Sequence, residues 1–261
     1  MKEAYASIYR ELYRRHWWWR AREAVLVREI ARNAPPQGWG RILDVGCGDA
    51  LFFDELSRFG EVWGVEGDPS LVRDDGPYRH RIHVGKFDAS LPTGSPFRLV
   101  LMLDVLEHMH EPVDALQRVR ALLEPSGALL VTVPAFPAAW TRHDDYNEHV
   151  VRYTRASFKE VVRRAGLTLL SSRYLFHWLF PAKLLVRAAE SVISGAAVPA
   201  GIPPVWLNKA LFSASRLEER LLRWARLPFG TSLLAWCIPS AVTVADPFLA
   251  AAGPPGLRKI I

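Results

Sequence analysis

The stretch RILDVGCGDALFF, residues 41–53, limits what this chain can fold into more than any other. A β-rich apolar run stops at Gly46 and Gly48, one residue apart, and then resumes with helix-like spacing. Glycine lets a backbone turn tightly and lets a ligand approach it, and the first N–H groups of a following helix are unpaired donors. A strand, such a turn and a helix make the nucleotide-binding element of doubly wound α/β sheets. The dinucleotide version, G-x-G-x-x-G, does not fit, because its third glycine slot holds Leu51. A phosphate loop is excluded too, since no Gly-Lys-Ser/Thr follows. What remains is acid-x-Gly-x-Gly, Asp44-Val45-Gly46-Cys47-Gly48. Glu66 then closes the next β-rich run, about 20 residues on, where a ribose-binding acid belongs.

The rest of the chain alternates in the same way. Residues 3–33 read as a helical arm that stops at the Asn-Ala-Pro-Pro break. Strands are expected at 41–45, 62–66, 82–87, 98–103, 128–134, 167–175 and 232–238. Helices are expected at 50–60, from the end of the fourth strand to Leu123, and at 157–166, with a turn at 124–127 (EPSG). This rhythm argues for a doubly wound α/β sheet. The division that follows is an arm at 1–38, one domain at 39–240 with a helical insertion at 176–231, and a loosely held tail at 241–261. Within the insertion, 209–226 is amphipathic: Leu211, Ala214, Leu217, Leu221 and Ala225 recur at three- and four-residue steps.

Cys47 and Cys237 are too few for a disulfide framework or a cysteine metal site, so a reducing cytoplasm is expected. The N-terminal MKEAYASIYRELYRR has no signal-peptide core, and no unbroken apolar run reaches the ~18 residues of a membrane span. Of the net charge of +6, +5 lies between Arg173 and Arg226, where eight Lys/Arg face three Glu. Such a patch suits nucleic acid, an anionic membrane or an acidic substrate.

Four motifs in order carry a resemblance: the Asp44–Gly48 turn with Glu66, GKFDASLP (85–92), LMLDVLEH (101–108) and LLEPSGALLVTVP (122–134). The chain resembles the class I S-adenosylmethionine (SAM)-dependent methyltransferases to about residue 172. The resemblance implies a Rossmann-like seven-stranded sheet of order 3-2-1-4-5-7-6 and SAM as cofactor. It places Asp44, Gly46 and Gly48 at the methionine part of SAM and Glu66 at the ribose, with Asp68 close enough to share it. It also places Asp88, followed by Ala89, beside the adenine, and Leu103 and Asp104 at the methionine end. Two positions depart from the family pattern: Ala50 stands at its frequent third glycine, and Glu66 replaces the commoner Asp. HWWWRAR (16–22), NEHVVRYT (147–154) and LPFGTSLLAW (227–236) resemble a bacterial, type 11/23-like branch with a His-Trp-Trp-Phe-x-x-Arg arm. That branch implies a small-molecule, lipid-linked or glycan-linked methyl acceptor.

SAM brings its own electrophile, so the protein has to align an O, N or C nucleophile and often take its proton. His108 is one candidate base, near the end of the fourth strand. His149 is the other, with Arg152 and Tyr153 in the polar cluster HDDYNEHVVRYT (143–154). Asp104, Glu107 and His108 would share one face of a helix. Small-RNA 2′-O-methyltransferases and some quinone-ring O-methyltransferases look similar there, with Glu-x-x-Glu-His and a divalent ion. This chain has Asp first and an unfixed distal ligand, His143 or His149, so the reading adopted has no metal. Of Trp17, Trp18 and Trp19, at least two are expected to be core and not a lid on the cofactor. A SAM-binding regulator and an RNA methyltransferase are the alternatives. The latter rests on charge alone, lacks an Asn-Pro-Pro-Tyr-type motif, and leaves nucleic acid an unexpected partner. The insertion is expected on the acceptor side, and its stripe either touches an anionic membrane, with Trp178, Trp206 and Trp224 suited to the interface, or packs on the domain with its arginines solvated.

Overall fold

The computed structural model describes residues 3–240 apart from 89, 90, 92, 93, 194, 196–200 and 226. The tail at 241–261 and Ala89 therefore lie outside the described residues. The arm forms α1 (Glu3–Arg15) and α2 (Trp17–Asn33). There follow β1 (Gly40–Val45), α3 (Phe53–Leu56), β2 (Gly60–Glu66), β3 (Ile82–Val84), β4 (Phe97–Leu103), α4 (Pro112–Leu122) and β5 (Leu123–Pro134). The second half holds α5 (Arg142–Tyr146), α6 (Arg155–Arg164), β6 (Leu167–Leu175), α7 (Leu179–Val192), α8 (Val205–Leu222) and β7 (Ser232–Pro239).

The strands form one sheet of order β3-β2-β1-β4-β5-β7-β6, the expected order, with β7 antiparallel to both of its neighbours. Strand residues alternate between two cores. Leu43, Val45, Val100 and Met102 face α4 and α6, while Ile42, Leu99 and Leu101 face α2 and α3. A strand covered on both sides has no solvent face to keep polar, which is why residues 99–103 (LVLML) are an unbroken apolar run.

Local expectations fail where tertiary contacts override them. The helix expected at 50–60 shrinks to Phe53–Leu56, because β2 already begins at Gly60. That glycine lies on β1 so closely that a Cβ would stand 2.2 Å from Gly40 O. β3 stops at Val84 rather than 87, and the Gly85 N–H makes a further bond to Glu66 O (2.8 Å). The turn expected at 124–127 falls within β5 and interrupts its pairing: Leu123 pairs with Phe97 and Ala128 with Leu99, and the four residues between them pair with none of β4. After β4 the chain makes a 3-10 turn (Leu106–His108) before α4, which starts at Pro112, where a missing N–H costs nothing. The arm breaks at His16, whose Nδ1 accepts from Trp18 N–H (3.2 Å). Burial lowers the His16 pKa to about 4, so the ring is neutral near pH 7 and free to accept.

The helices between β6 and β7 pack in an unusual sense. The inward side of α8 buries Ser215 and Glu219, and Glu219 meets Arg173 (2.9 Å) and Arg28 (3.3 Å). Arg173 also reaches Glu29 of α2 (3.0 Å). The apolar stripe expected on this helix therefore does not pack on the domain as a whole: Leu217 and Leu221 are exposed.

Candidate active site

β1 leads into the glycine turn, where Gly46 (φ +74°) and Gly48 (φ +53°) are left-handed, a conformation that a Cβ penalises. A Cβ on Gly46 would stand 2.6 Å from Val105 Cγ2, and one on Gly48 3.6 Å from the Tyr9 ring. The turn is braced from β2. Gly46 N–H donates to Val65 O (2.8 Å) and Gly48 N–H to Glu66 Oε2 (2.8 Å), while Glu66 Oε1 accepts from Asp68 N–H (2.9 Å). The Asp68 carboxylate is used differently, accepting from both N–H and Oγ–H of Ser70 to cap a 3-10 turn (Pro69–Leu71). Asp44 is buried beneath the turn. Desolvation lifts its pKa to about 7, with Arg22 opposing and Glu66 reinforcing the shift. Leu103 is half-buried at the end of β4, next to Asp104, whereas Asp88 is exposed beyond β3.

The non-glycine residues with positive φ are Ala50, Asp104, Phe136, Glu148 and Phe176. Ala50, Asp104, Phe136 and Phe176 follow β1, β4, β5 and β6, and Glu148 precedes His149, so all five lie in connections leaving the carboxyl edge of the sheet. Backbone strain of about 1–3 kcal/mol per residue persists where surrounding structure enforces it, and functional sites are where it collects.

Arg22, at the end of the HWWWRAR stretch, is the residue that sequence reasoning left without a role. Its Nη2 lies 2.7 Å from Asp104 Oδ2 and 3.1 Å from Thr132 Oγ1, while its buried Nε has no partner. Burial opposes its charge, but Asp104 and the other groups around it prevail and raise its pKa. The guanidinium also lies over the Trp18 ring (5.6 Å). α1 approaches the same turn through Tyr9 and through Arg10, which is 3.4 Å from Asp49 Oδ2. Burial pushes the Tyr9 phenol up to about 12, with Arg22 opposing and Asp44, Asp104 and Glu66 adding. The tryptophans wall this region. Trp17 is buried, Trp18 meets Phe176 (6.0 Å), and Trp19 stands edge-on to Tyr9 (6.5 Å).

A second cluster forms where the loop after α5 crosses the 3-10 turn. Val150 N–H donates to Glu107 O (2.8 Å), which brings His149 against His108 with ring centroids 4.8 Å apart. His149 Nδ1 lies 2.8 Å from Asp144 Oδ1. That carboxylate also meets Arg152 Nε (2.8 Å) and Lys183 Nζ of α7 (3.7 Å). Burial alone would raise the Asp144 pKa, but His149, Lys183 and Arg152 outweigh it and hold the group well below the usual carboxylate range. An ionised Asp144 only accepts, so His149 donates to it from Nδ1, and its Nε2 lies 4.0 Å from Glu107 Oε1. His108 is exposed at one edge, and the protein packed around it together with His149 lowers its pKa.

Glu107 is fully buried and neither carboxylate oxygen has a hydrogen-bond partner. Desolvation, reinforced by Asp104, raises its pKa well above the ordinary value. The expected helical face of Asp104, Glu107 and His108 does not form, because Asp104 is left-handed and pairs with Arg22. The structure groups Glu107, His108 and His149 instead, with one ligand atom from each within 4.8 Å of the others. His143 stands apart from that trio, and burial lowers its pKa to about 4.

A family model described as a methyltransferase domain matches residues 18–172, more than half of the chain. The ubiquinone biosynthesis O-methyltransferase of Azorhizobium caulinodans is 31% identical over 165 residues, covering 59% of this chain and 56% of that protein. This chain thus spans little more than half of that relative's length. The enzyme of the same name from Xanthomonas oryzae pv. oryzae is 27% identical over 201 residues, covering 72% of this chain and 76% of that protein. Among solved structures, a TehB-like SAM-dependent methyltransferase from Corynebacterium glutamicum superposes with a TM-score of 0.52 at 19% identity. That superposition covers 92% of this chain and 100% of that one, and it shows a shared fold. The matched residues include the glycine turn and the β2 acid, Glu66, that braces it. The chain belongs to the family of methyltransferase-domain proteins.

Proposed function

We propose that the enzyme methylates an oxygen of a small-molecule acceptor, lipid- or glycan-linked, and meets that acceptor beside an anionic membrane surface. The observation that carries the choice of oxygen is the His149–Asp144 pair at the carboxyl edge of the sheet. A hydroxyl must lose its proton as it attacks, and an imidazole held in place by a carboxylate is the kind of group that takes one. The relatives named as O-methyltransferases support the same choice.

The residues present fit SAM. The left-handed turn at Gly46 and Gly48 would hold the methionine part, and the Glu66 carboxylate that braces it would hold the ribose. The unpartnered Nε of Arg22 is a free donor for a ligand carboxylate. When bound, SAM supplies a methyl group on a sulfonium. Asp144 keeps His149 in the tautomer whose Nε2 accepts the acceptor's proton, and Arg152, bonded to Ala135 O (2.8 Å), keeps Asp144 in place. The loop at 143–154 thereby holds the acceptor side, and the tryptophan wall excludes water.

A second reading is favoured by the unpartnered Glu107 oxygens: Glu107, His108 and His149 hold a divalent ion that binds the acceptor oxygen. Metal analysis of the purified protein, and activity after chelation and re-addition of Mg²⁺ or Zn²⁺, separate the two. Activity insensitive to chelation leaves His149 as the base.

The acceptor is found by incubating the protein with labelled SAM and cell extract, then separating lipid, glycan, protein and RNA fractions. Label in the lipid or glycan fraction, surviving nuclease, supports the reading. Label confined to RNA overturns it, and SAM binding without any transfer would make the chain a regulator.

Two outcomes test the cofactor site. Glu66→Ala should lose about 1.5–3 kcal/mol of SAM affinity, roughly ten- to a hundredfold, by removing a charged acceptor. Normal binding by Glu66→Ala together with loss in Asp68→Ala would move the ribose assignment to Asp68. SAM affinity should also rise with pH through about 7, because the cationic ligand favours ionised Asp44. The sign for stability is opposite. A carboxyl whose folded pKa lies above its unfolded value favours folding at low pH, and that contribution is lost as pH rises through about 7. Calorimetry at about pH 6 and 8, in buffers of different ionisation heat, reads the proton released. A flat affinity with no proton release removes Asp44 from the site.

A further inference from the structure

We propose that α7 and α8 form the surface by which this enzyme docks on an anionic lipid bilayer. The inference deepens the reading of a membrane-proximal acceptor and rests on it for its purpose. Its geometry is independent. α7 buries none of its residues, although LFPAKLLVRAAESV is largely apolar. Leu185 is 73% exposed, and Val186 and Val192 are exposed with it. On α8 the outward side is also apolar, while Phe212 packs on the core. The helix turns Ser215 and the ion-paired Glu219 inward, and Leu217, Leu221 and Trp206 (71% exposed) outward. Trp224, just past its end, is 62% exposed and lies between Arg32 and Arg223.

The inner side of α8 is fixed by Arg173 and Arg28 on Glu219, so it cannot roll to bury its apolar side without stranding those charges. Apolar residues left outward on two helices that meet at the start of α7, where Trp178 N–H donates to Glu218 and Pro181 shares a groove with Leu217, mark a contact with something apolar. Charge chooses the occupant. Among the described residues of 179–225, the exposed charged side chains are Arg187, Lys209, Arg220 and Arg223, all basic. The acids there, Glu190, Glu218 and Glu219, are partly or fully buried. Apolar residues ringed only by cations match an anionic leaflet, with tryptophans at the headgroup level. No helix among the described residues is long and apolar enough to cross a membrane, so the contact is peripheral.

A groove of about 630 Å³ between the helices opens on this surface, lined by Trp178, Leu217, Leu221, Leu227 and Phe229 among others. Phe229 meets Phe180 (5.9 Å), and Phe180 meets Phe136 (5.1 Å). Phe136 follows Ala135, whose carbonyl holds Arg152. Aromatic contacts thus run from the docking surface as far as Phe136, and from there Ala135 and Arg152 lead to Asp144, a path whose outer part suits an acceptor with an apolar chain.

The test is co-sedimentation of the whole chain with phosphatidylcholine vesicles, with and without phosphatidylglycerol, at low and high salt. Binding to the anionic vesicles that weakens with salt is expected. Lys209→Ala, Arg220→Ala and Arg223→Ala together should lower it by about a hundredfold at low salt, each basic residue contributing about fivefold. Trp206→Ser with Leu217→Ser and Leu221→Ser should lower it at either salt. SAM affinity measured in parallel shows that the variants are folded and reads the methyltransferase site separately. Equal, negligible pelleting in all four conditions overturns the proposal. So does a dimer, seen by sedimentation equilibrium, that the serine variant dissolves, because a second copy of the chain then covers this surface.

Discussion

Gly46→Arg is expected to abolish binding of SAM and S-adenosylhomocysteine. Two independent costs meet at this position. The backbone is left-handed (φ +74°), which costs a non-glycine residue about 1–2 kcal/mol, and a Cβ would stand 2.6 Å from Val105 Cγ2. Relief of that contact moves the turn away from its bond to Val65 O and disturbs the neighbouring Gly48–Glu66 bond. The long cationic side chain then competes for the space beside Asp44 and Asp104. Gly46→Ala, which adds the Cβ alone, should fall between the two. Gly67→Ala is the control, since a Cβ there meets nothing within 4 Å and its φ is not positive. Isothermal calorimetry on variants with a cooperative thermal transition gives the answer. Unchanged SAM affinity in folded Gly46→Arg would remove the glycine turn from the cofactor site.

Asp144→Asn is expected to lower turnover by about 10²–10⁴, the usual contribution of a positioned acid–base group, with SAM affinity unchanged. The amide keeps the shape but not the charge, so it no longer holds His149 in the tautomer that frees Nε2. Asp144→Ala goes further. It leaves Arg152, itself buried, without its carboxylate, and breaking a buried pair costs about 3–5 kcal/mol of stability. It also removes the oxygen that closes the capping box of α5 with Thr141 N–H (2.8 Å). A kcat loss in Asn with little change in KM, and a lowered melting temperature in Ala, are the paired results. Near-normal turnover in a folded Asp144→Asn enzyme excludes the His149–Asp144 pair from the chemistry.

How much of this could be read from the chain alone differs from place to place. The strand at 98–103 was legible because an unbroken apolar run bounded by polar residues has few other uses. The helix at 50–60 was misjudged because nothing in those residues announces that β2 begins at Gly60, against Gly40. The turn at 124–127 was legible from Glu-Pro-Ser-Gly, but not that Leu123 before it already pairs with Phe97, which sets it inside β5. Asp44 and Glu66 were found from their spacing to the glycines. Arg22 carried only the signal of its place at the end of HWWWRAR.

By itself, then, the sequence determined the glycine turn, the acid of β2, the alternation that makes a parallel sheet, and the family. Each depends on backbone freedom or periodicity within a short window, and those are local properties. Only the tertiary structure decided that Arg22 pairs with Asp104, that Lys183 of α7 reaches Asp144, and that Glu107 rather than Asp104 joins the two histidines. It also decided which side of α8 faces out. An amphipathic pattern says that two faces differ, and the buried partners Arg173 and Arg28, drawn to Glu219 from distant segments, choose between them. Desolvated charges must find opposite charges, and where those stand in space is not written in the residues beside them.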